Sequence, residues 1–183
     1  MKKKLKDFYT MVEELETAMF TTSRKDGRLV SRPMANQVAA AGADLWFVTL
    51  DGSPKLAEIT RNPYVNVSYF KDRTREWVSV SGTAKISTNR RKIRELYRPD
   101  WRAWMGEDGG EHDGSADDPR IVLIGVDIES AMFMEVNKPT PVILFEVVKG
   151  LVTGKAPDLG KTQRVTKTEA RKKTAKRKPA SRK

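Results

Sequence analysis

Short segments that alternate apolar and polar residues, each bounded by turn-forming residues, most constrain the fold of this chain. The first two are separated by Lys25-Asp26-Gly27-Arg28, and a central Asp-Gly pair is typical of a tight hairpin turn. Many short strands with few helices between them predict a mainly β fold, a closed or partly closed antiparallel barrel of six or seven strands with flanking helices. The predicted strands span residues 17–24, 29–38, 45–50, 64–70, 76–87, 121–128 and 131–136.

Four helices are predicted around this sheet. Apolar residues recur at helical spacing from Leu5 to Leu15. Proline or a capping residue opens each of the other three, at Pro54, at Asn89 and at Thr140-Pro141, where threonine is the expected N-cap. The predicted helices span residues 4–15, 54–61, 90–97 and 140–151, and the last of them should stop near Gly154.

The length of the chain and its lack of long apolar runs limit the number of domains and the kinds of segment it can contain. Its 183 residues suffice for one well-buried domain with an appendage, and we predict a domain over residues 1–154 and a tail over residues 155–183. No apolar run reaches the ~18 residues of a membrane-spanning helix. The basic start leads into an amphipathic pattern rather than a signal peptide, so we expect a cytoplasmic protein without a membrane partner.

The absence of cysteine and the single histidine, His112, exclude several classes of site. A chain without thiols has no disulfide, iron–sulfur cluster or cysteine nucleophile. A Ser-His-Asp hydrolase or a multi-histidine metal centre would depend on one imidazole and is nearly excluded. His112 lies in an acidic, glycine-rich loop over residues 106–118. Because its spacing fits no calcium loop, we predict solvated side chains there and no metal site.

The charge of the chain is concentrated at its C-terminal end. Residues 155–183 contain twelve Lys or Arg against Asp158 and Glu169, so they carry ten of the eleven net positive charges. From residue 167 onwards no apolar residue is larger than alanine. Such a segment buries too little surface to offset its ordering entropy, and we predict that the whole tail is disordered.

One stretch carries candidate binding chemistry. Arg32 on a predicted strand, with Ser53 and Lys55 in the turn and helix after the next strand, supplies a guanidinium, a hydroxyl and an ammonium that suit a phosphate dianion. Free amides at the start of the helix near Pro54 would add to this shell. Taken singly, the two cations could equally be solvated surface charges. The apolar run around Phe47 could be a cofactor wall or ordinary core.

The order of several motifs across residues 14–154 resembles the FMN-binding split-barrel superfamily typified by pyridoxamine 5'-phosphate oxidase, and most closely its bacterial general stress protein 26 branch. The matching pieces are Ser-Arg-Pro-Met at 31–34, Leu-Trp-Phe-Val-Thr at 45–49, Ser-x-Lys at 53–55, Asn-Pro-x-Val-Asn-Val-Ser-Tyr at 62–69, Val-Ser-Val-Ser-Gly at 78–82, Ala-Trp at 103–104, Asp-Pro at 118–119 and Leu-Val-Thr-Gly at 151–154.

The resemblance implies a homodimer with two FMN sites at the subunit interface. It assigns the phosphate to Arg32, Ser53 and Lys55. The strands that line the flavin ring would contribute Pro33, Met34, Phe47, Val48 and Thr49. Trp101 and Trp104 are candidates for stacking on the ring, from the same or the neighbouring subunit, or for fixing a helical turn to the barrel.

Two departures from the relatives narrow the expected function. The chain lacks the C-terminal segment with arginine and tryptophan that holds substrate in pyridoxamine 5'-phosphate oxidase, so vitamin B6 oxidation is disfavoured. Met134 replaces a tryptophan found in many of the stress proteins. The expected function is an FMN-binding general stress protein, with NAD(P)H-dependent flavin oxidoreductase activity on an unidentified small molecule; no residue is identified as catalytic, and F420 is the alternative cofactor.

A second hypothesis assigns the function to the tail. Basic sequences rich in lysine, alanine, proline and threonine resemble the tails of histone H1-like proteins, which bind phosphate backbones through counterion release. A dimer would present two such tails. In this hypothesis residues 155–183 contact DNA or RNA and the barrel is a scaffold; a general polyanion or solubility tail is the alternative.

Overall fold

The computed structural model describes residues 3–37, 39–106, 109–136, 139–157 and 160–174, which form one seven-stranded antiparallel sheet with helices around it. The predicted mainly β class is confirmed. The strands are β1 (Thr17–Ser23), β2 (Leu29–Ala35), β3 (Leu45–Leu50), β4 (Tyr64–Lys71), β5 (Glu76–Ser87), β6 (Ile121–Glu135) and β7 (Lys161–Thr166). The helices are α1 (Lys3–Leu15), α2 (Pro54–Arg61), α3 (Arg90–Leu96), α4 (Trp101–Met105), α5 (Thr140–Thr153) and α6 (Lys167–Thr174).

The sheet is not closed into a barrel. Its strands lie in the order β2-β1-β4-β5-β6, and β6 carries two partners along its other edge, β3 beside its first half and β7 beside its second. The strands β2 and β3 are therefore edges. The backbone N–H of Gln37 donates to the carbonyl of Trp46 at 2.9 Å and brings the end of β2 to β3. An open seam between β2 and β3 results.

The strand β6 is continuous, whereas the sequence patterns predicted two strands, over 121–128 and 131–136. The register with β5 passes from Ser81 opposite Ser130 to Gly82 opposite Ile128, which leaves Glu129 as an extra residue in a β-bulge. Gly82 is required here because a Cβ would lie 2.6 Å from the carbonyl oxygen of Asp127. The buried carboxylate of Asp44 accepts the N–H of Ile128 at 2.9 Å.

Two clusters of apolar side chains form the core. The larger one lies between the sheet and the amphipathic α1, where the rings of Phe8 and Phe133 meet edge to face with centroids 5.7 Å apart. The smaller one packs α3 and α4 against β3 and the start of β6. Because side chains alternate along β3, Phe47 belongs to the larger cluster and Trp46 to the smaller one.

Local capping signals position the helices largely as predicted. Asn89 accepts the backbone N–H of Lys92 and caps α3, and Pro54 opens α2. The helix α5 begins one residue earlier than its signal suggested, with Pro139 rather than Thr140 at the N-cap. It is not the last element. Among the described residues, no helix has the length and apolar character needed to cross a membrane.

The prediction of a wholly disordered tail is wrong for residues 161–174, which form β7 and α6. The backbone of β7 pairs with the second half of β6, and this pairing needs no large side chain. Val165 and Ala170 are buried in the larger core cluster, so alanine suffices as a contact on α6. Lys4 donates to the Glu169 carboxylate at 2.9 Å and, with the N–H of Thr166, lowers the pKa of Glu169 to about 2. Residues 175–183 lie outside the described residues.

Candidate functional site

A cleft of about 730 Å³ lies at the seam between β2 and β3. Its walls come from these two strands, from the turn that leads into α2, and from α4. Eight of the ten predicted cofactor-site residues line it, and Arg32 and Phe47 do not. The lining residues are Thr17, Pro33, Met34, Ala35, Gln37, Val48, Thr49, Leu50, Asp51, Gly52, Ser53, Lys55, Asp100, Trp101, Trp104 and Met105.

Lys55 supplies the positive charge of this cleft. Ser53 is the N-cap of α2, and Pro54 is its first residue. The Lys55 ammonium, in the first turn, donates to the Ser53 hydroxyl at 2.6 Å and to the Thr49 hydroxyl at 2.8 Å. Burial, together with the nearby Arg32 charge, lowers the pKa of Lys55, although Glu58 opposes the shift. Within the described part of the chain this ammonium makes no ion pair. A half-buried cation held only by neutral hydroxyls is suited to an anionic ligand.

Arg32 does not line this cleft and already has a carboxylate partner. Its guanidinium donates to Glu58 at 2.9 Å and to the Thr22 hydroxyl at 2.7 Å, and that hydroxyl donates in turn to Glu58 at 2.6 Å. Burial raises the pKa of Glu58, but the hydrogen bonds from Thr22 and Arg32 outweigh it and leave the pKa lowered. The part of Arg32 in holding a phosphate therefore stays a prediction, and any ligand would share this guanidinium with Glu58.

Of the two interpretations of Phe47, cofactor wall or ordinary core, its side chain fits the core. Phe47 is fully buried, and its ring packs edge to face on Phe20 with centroids 5.2 Å apart. Its neighbours Val48 and Thr49 do reach the cleft. At this part of the seam β3 can offer a ligand its backbone and these two side chains.

The two tryptophans have different roles. Trp101 is 2 % exposed, packs edge to face on Tyr97 and donates its Nε1–H to the Gln37 side-chain oxygen at 2.8 Å. The packing interpretation fits this residue, and little of its ring is open to the cleft. Trp104 is 84 % exposed at the rim and is the tryptophan free to stack on a ligand.

Gln37 is the main lining residue that sequence reasoning missed. It follows Pro33 and Ala35 at intervals of two, and this alternation could have placed all three on one side of the chain. Asp51 and Gly52, in the turn before Ser53, also line the cleft. Gly52 has a positive φ of 75°, and its N–H is bound by the Asp51 carboxylate at 2.9 Å. Met134 does not line the cleft; it lies on β6 opposite Trp77 and Thr162.

In the acidic loop, a buried aspartate makes hydrogen bonds that stabilise the loop. Asp118 is fully buried, and its carboxylate accepts the Arg120 guanidinium at 2.8 Å and the N–H of Gly114 at 2.9 Å. These bonds hold the pKa of Asp118 far below its usual range despite burial. No group of three carboxylate or imidazole side chains suited to a metal occurs within the described ranges; Glu107 and Asp108 lie outside them.

The antiparallel sheet with an open seam and flanking helices defines a split barrel as the class of fold. A family model described as pyridoxamine 5'-phosphate oxidase like matches residues 3–158, and the chain belongs to this family. Protein bli-3 of Neurospora crassa is 34 % identical over 169 residues, which cover 91 % of this chain and 81 % of that protein. The resemblance inferred from the sequence motifs is thereby confirmed.

Solved structures of general stress proteins share the fold. A general stress protein 26 from Jannaschia has a TM-score of 0.68 and 24 % identity, with 91 % of this chain and 99 % of that chain covered. The general stress FMN/FAD binding protein of Xanthomonas citri has a TM-score of 0.61 and 22 % identity, with 76 % of this chain and 93 % of that chain covered. Neighbours of this fold thus include flavin-binding stress proteins.

Proposed function

We propose that the seam cleft binds FMN, with the phosphate at Lys55 and the flavin ring against the β2 and β3 walls. The observation that carries this proposal is the Lys55 ammonium, half-buried and bonded only to the Thr49 and Ser53 hydroxyls in the described structure. A phosphate dianion would supply the counter-charge that this group lacks. The Xanthomonas citri neighbour, an FMN/FAD binding protein of the same fold, supports the same choice of ligand.

The other residues of the cleft fit a flavin in character. Its volume lies within the range of small-molecule sites, and Pro33, Met34 and Val48 provide apolar wall. The edges of β2 and β3 offer backbone groups to the polar edge of a ring, and the Gln37 amide is held in place by Trp101. F420 carries the same phosphate chemistry and is the competing ligand.

Bound flavin supplies hydride and one-electron chemistry, and the protein contributes binding and orientation. We infer a stress-related oxidoreductase that takes electrons from NAD(P)H and passes them to a small molecule. No residue of the cleft is assigned as an acid or base. Anaerobic addition of NADH or NADPH to the flavin-loaded protein should bleach the flavin absorbance, and persistence of the oxidised spectrum with both donors would contradict this activity.

A homodimer is part of the proposal. Thr17, Pro33 and Ala35, which line the cleft, are exposed on the outer face of β1 and β2, and Met19 continues this face. With Trp104 at the rim, the cleft is open on one side. A second copy over this face would complete the enclosure of the flavin ring.

Binding of FMN and of riboflavin to Lys55→Met tests the phosphate assignment. Loss of a charged hydrogen-bond partner costs about 1.5–3 kcal/mol, so we expect FMN affinity to fall about 10- to 100-fold. Riboflavin has no phosphate, and its affinity should change little. Flavin fluorescence quenching measures both affinities.

The matched control is Lys71→Met, which removes one positive charge at the end of β4, outside the cleft lining. It should leave both affinities unchanged. Equal losses for FMN and riboflavin in Lys55→Met would refute the phosphate contact. Binding of F420 but not of FMN would reassign the cofactor.

A further inference from the structure

The two ends of the described chain bring basic residues to one edge of the molecule. The first turn of α1 lies beside β7 and α6, where the Lys4 ammonium is 2.8 Å from the Glu169 carboxylate. Lys3, Lys4 and Lys161 line one groove of about 460 Å³, together with Asp7 and Glu135. More than 150 residues separate Lys4 from Lys161 in the sequence, so only the fold places them together. We name the described Lys and Arg of α1, β7 and α6 the basic edge.

Most cations of the basic edge are available to a ligand. Lys4 and Lys167 are engaged by Glu169 and Glu129 respectively. Five more are exposed and make no ion pair within the described ranges: Lys3, Lys6, Lys161, Arg164 and Arg171. Asp7 and Glu135 reduce the local charge, but positive charge predominates.

The sequence that follows extends this charge. After the end of α6, residues 175–183 contain five Lys or Arg and no acidic residue. The helix α6 is fixed to α1 by the Lys4–Glu169 ion pair and to β6 by the Lys167–Glu129 ion pair. The basic sequence at the C-terminus therefore follows directly on the basic edge.

We propose that the basic edge binds the phosphate backbone of duplex DNA without reading its sequence. Duplex DNA has a dense line of negative charge, and lysine and arginine that neutralise it release condensed counterions. Single-strand binding proteins add aromatic stacking platforms, whereas the first turn of α1, β7 and α6 contain no aromatic residue. The proposal uses none of the cleft residues and stands apart from the flavin.

Fluorescence anisotropy of a labelled duplex of random sequence, measured with the full chain over a salt series, tests the proposal. The logarithm of the association constant should fall linearly with the logarithm of salt concentration, by about 0.9 for each phosphate neutralised. In the full chain, Lys161→Ala with Arg164→Ala and Arg171→Ala should lower affinity at least tenfold and flatten the slope.

The control removes the same net charge elsewhere, through Lys71→Ala, Arg73→Ala and Arg91→Ala. It should leave affinity within about threefold, and thermal melting verifies that all variants are folded. Equal weakening by the control would overturn the local assignment in favour of net charge alone. Tighter binding to single strands, or to vesicles of mixed neutral and anionic phospholipid, than to the duplex would overturn the choice of partner.

Discussion

The buried carboxylate of Asp118 stabilises the loop that precedes β6. Its carboxylate is fully buried and is satisfied by the Arg120 guanidinium and by backbone N–H groups. Removal of one partner of a buried pair costs about 3–5 kcal/mol, because the other charge remains without compensation. We therefore expect Asp118→Asn to lower the free energy of unfolding by about 3 kcal/mol in urea titrations.

The pH dependence of this contribution has a definite sign. The folded pKa of Asp118 lies below its usual value of 3.8, so its stabilisation is complete above that pH and declines as the pH falls further. Asp117→Asn is the matched control, since the Asp117 pair with Arg94 is exposed and should be worth less than about 1 kcal/mol. A similar loss in both variants would contradict the special role of Asp118.

At the scale of single residues, the sequence predicted positions well where a local signal in the chain determines them. Ser53 and Lys55 meet at the cleft because a serine N-cap and a proline define the start of a helix in the sequence itself. Arg32 was harder, since its partner Glu58 is 26 residues away and only the packing of α2 on β1, the neighbour of β2, brings the two together. The position of Phe47 depends on which face of β3 meets the larger core, and residue type alone cannot settle that.

At the scale of elements, β7 and α6 are the main addition to what the sequence predicted. Val165 is 1 % exposed, and its burial fixes β7 in register on β6. Val165→Ala should cost about 2 kcal/mol of unfolding free energy, since about two buried methyl groups are lost. Arg164→Ala, at an exposed neighbouring position, should stay within about 0.5 kcal/mol. An unaffected stability in Val165→Ala would show that β7 contributes little to the fold.

Element boundaries were predictable where a local signal marks them. The Asp26-Gly27 turn, the start of α2 and the Asn89 cap all appear as expected. The continuity of β6 was not predictable, because the bulge at Glu129 depends on Gly82 of a different strand and on Asp44. The sequence did not predict that β7 is ordered for a related reason. This strand forms by pairing with β6, and that pairing depends on the tertiary fold rather than on a local signal.

Among the described residues, the exposed apolar surfaces include the outer face around Met19 and the helix α5. Leu144, Phe145 and Leu151 of α5 are exposed, and a group of large apolar side chains on a surface helix is normally covered by a partner. We expect a second copy to cover both. Met19→Glu and Phe145→Glu should each shift the protein from dimer to monomer in sedimentation velocity, and Met19→Glu should also weaken FMN binding.

Ile86→Glu provides the control for these dimer variants, because Ile86 is an exposed apolar residue on β5 and lies outside both surfaces. It should leave the dimer and the flavin affinity intact. A wild-type protein that sediments as a monomer at micromolar concentration would refute the dimer, even if FMN bound.

The pairing of β7 with β6 also bears on solubility during and after folding. Without β7, the second half of β6 would present an open edge whose residues 130–135 read Ser-Ala-Met-Phe-Met-Glu, with a single charge and no proline. Open apolar edges of this kind recruit strands from other molecules. The strand that covers this edge, β7, contains the exposed Lys161 and Arg164, and charged residues on an edge strand resist such recruitment. By covering the edge of β6, β7 should therefore protect this central strand from aggregation.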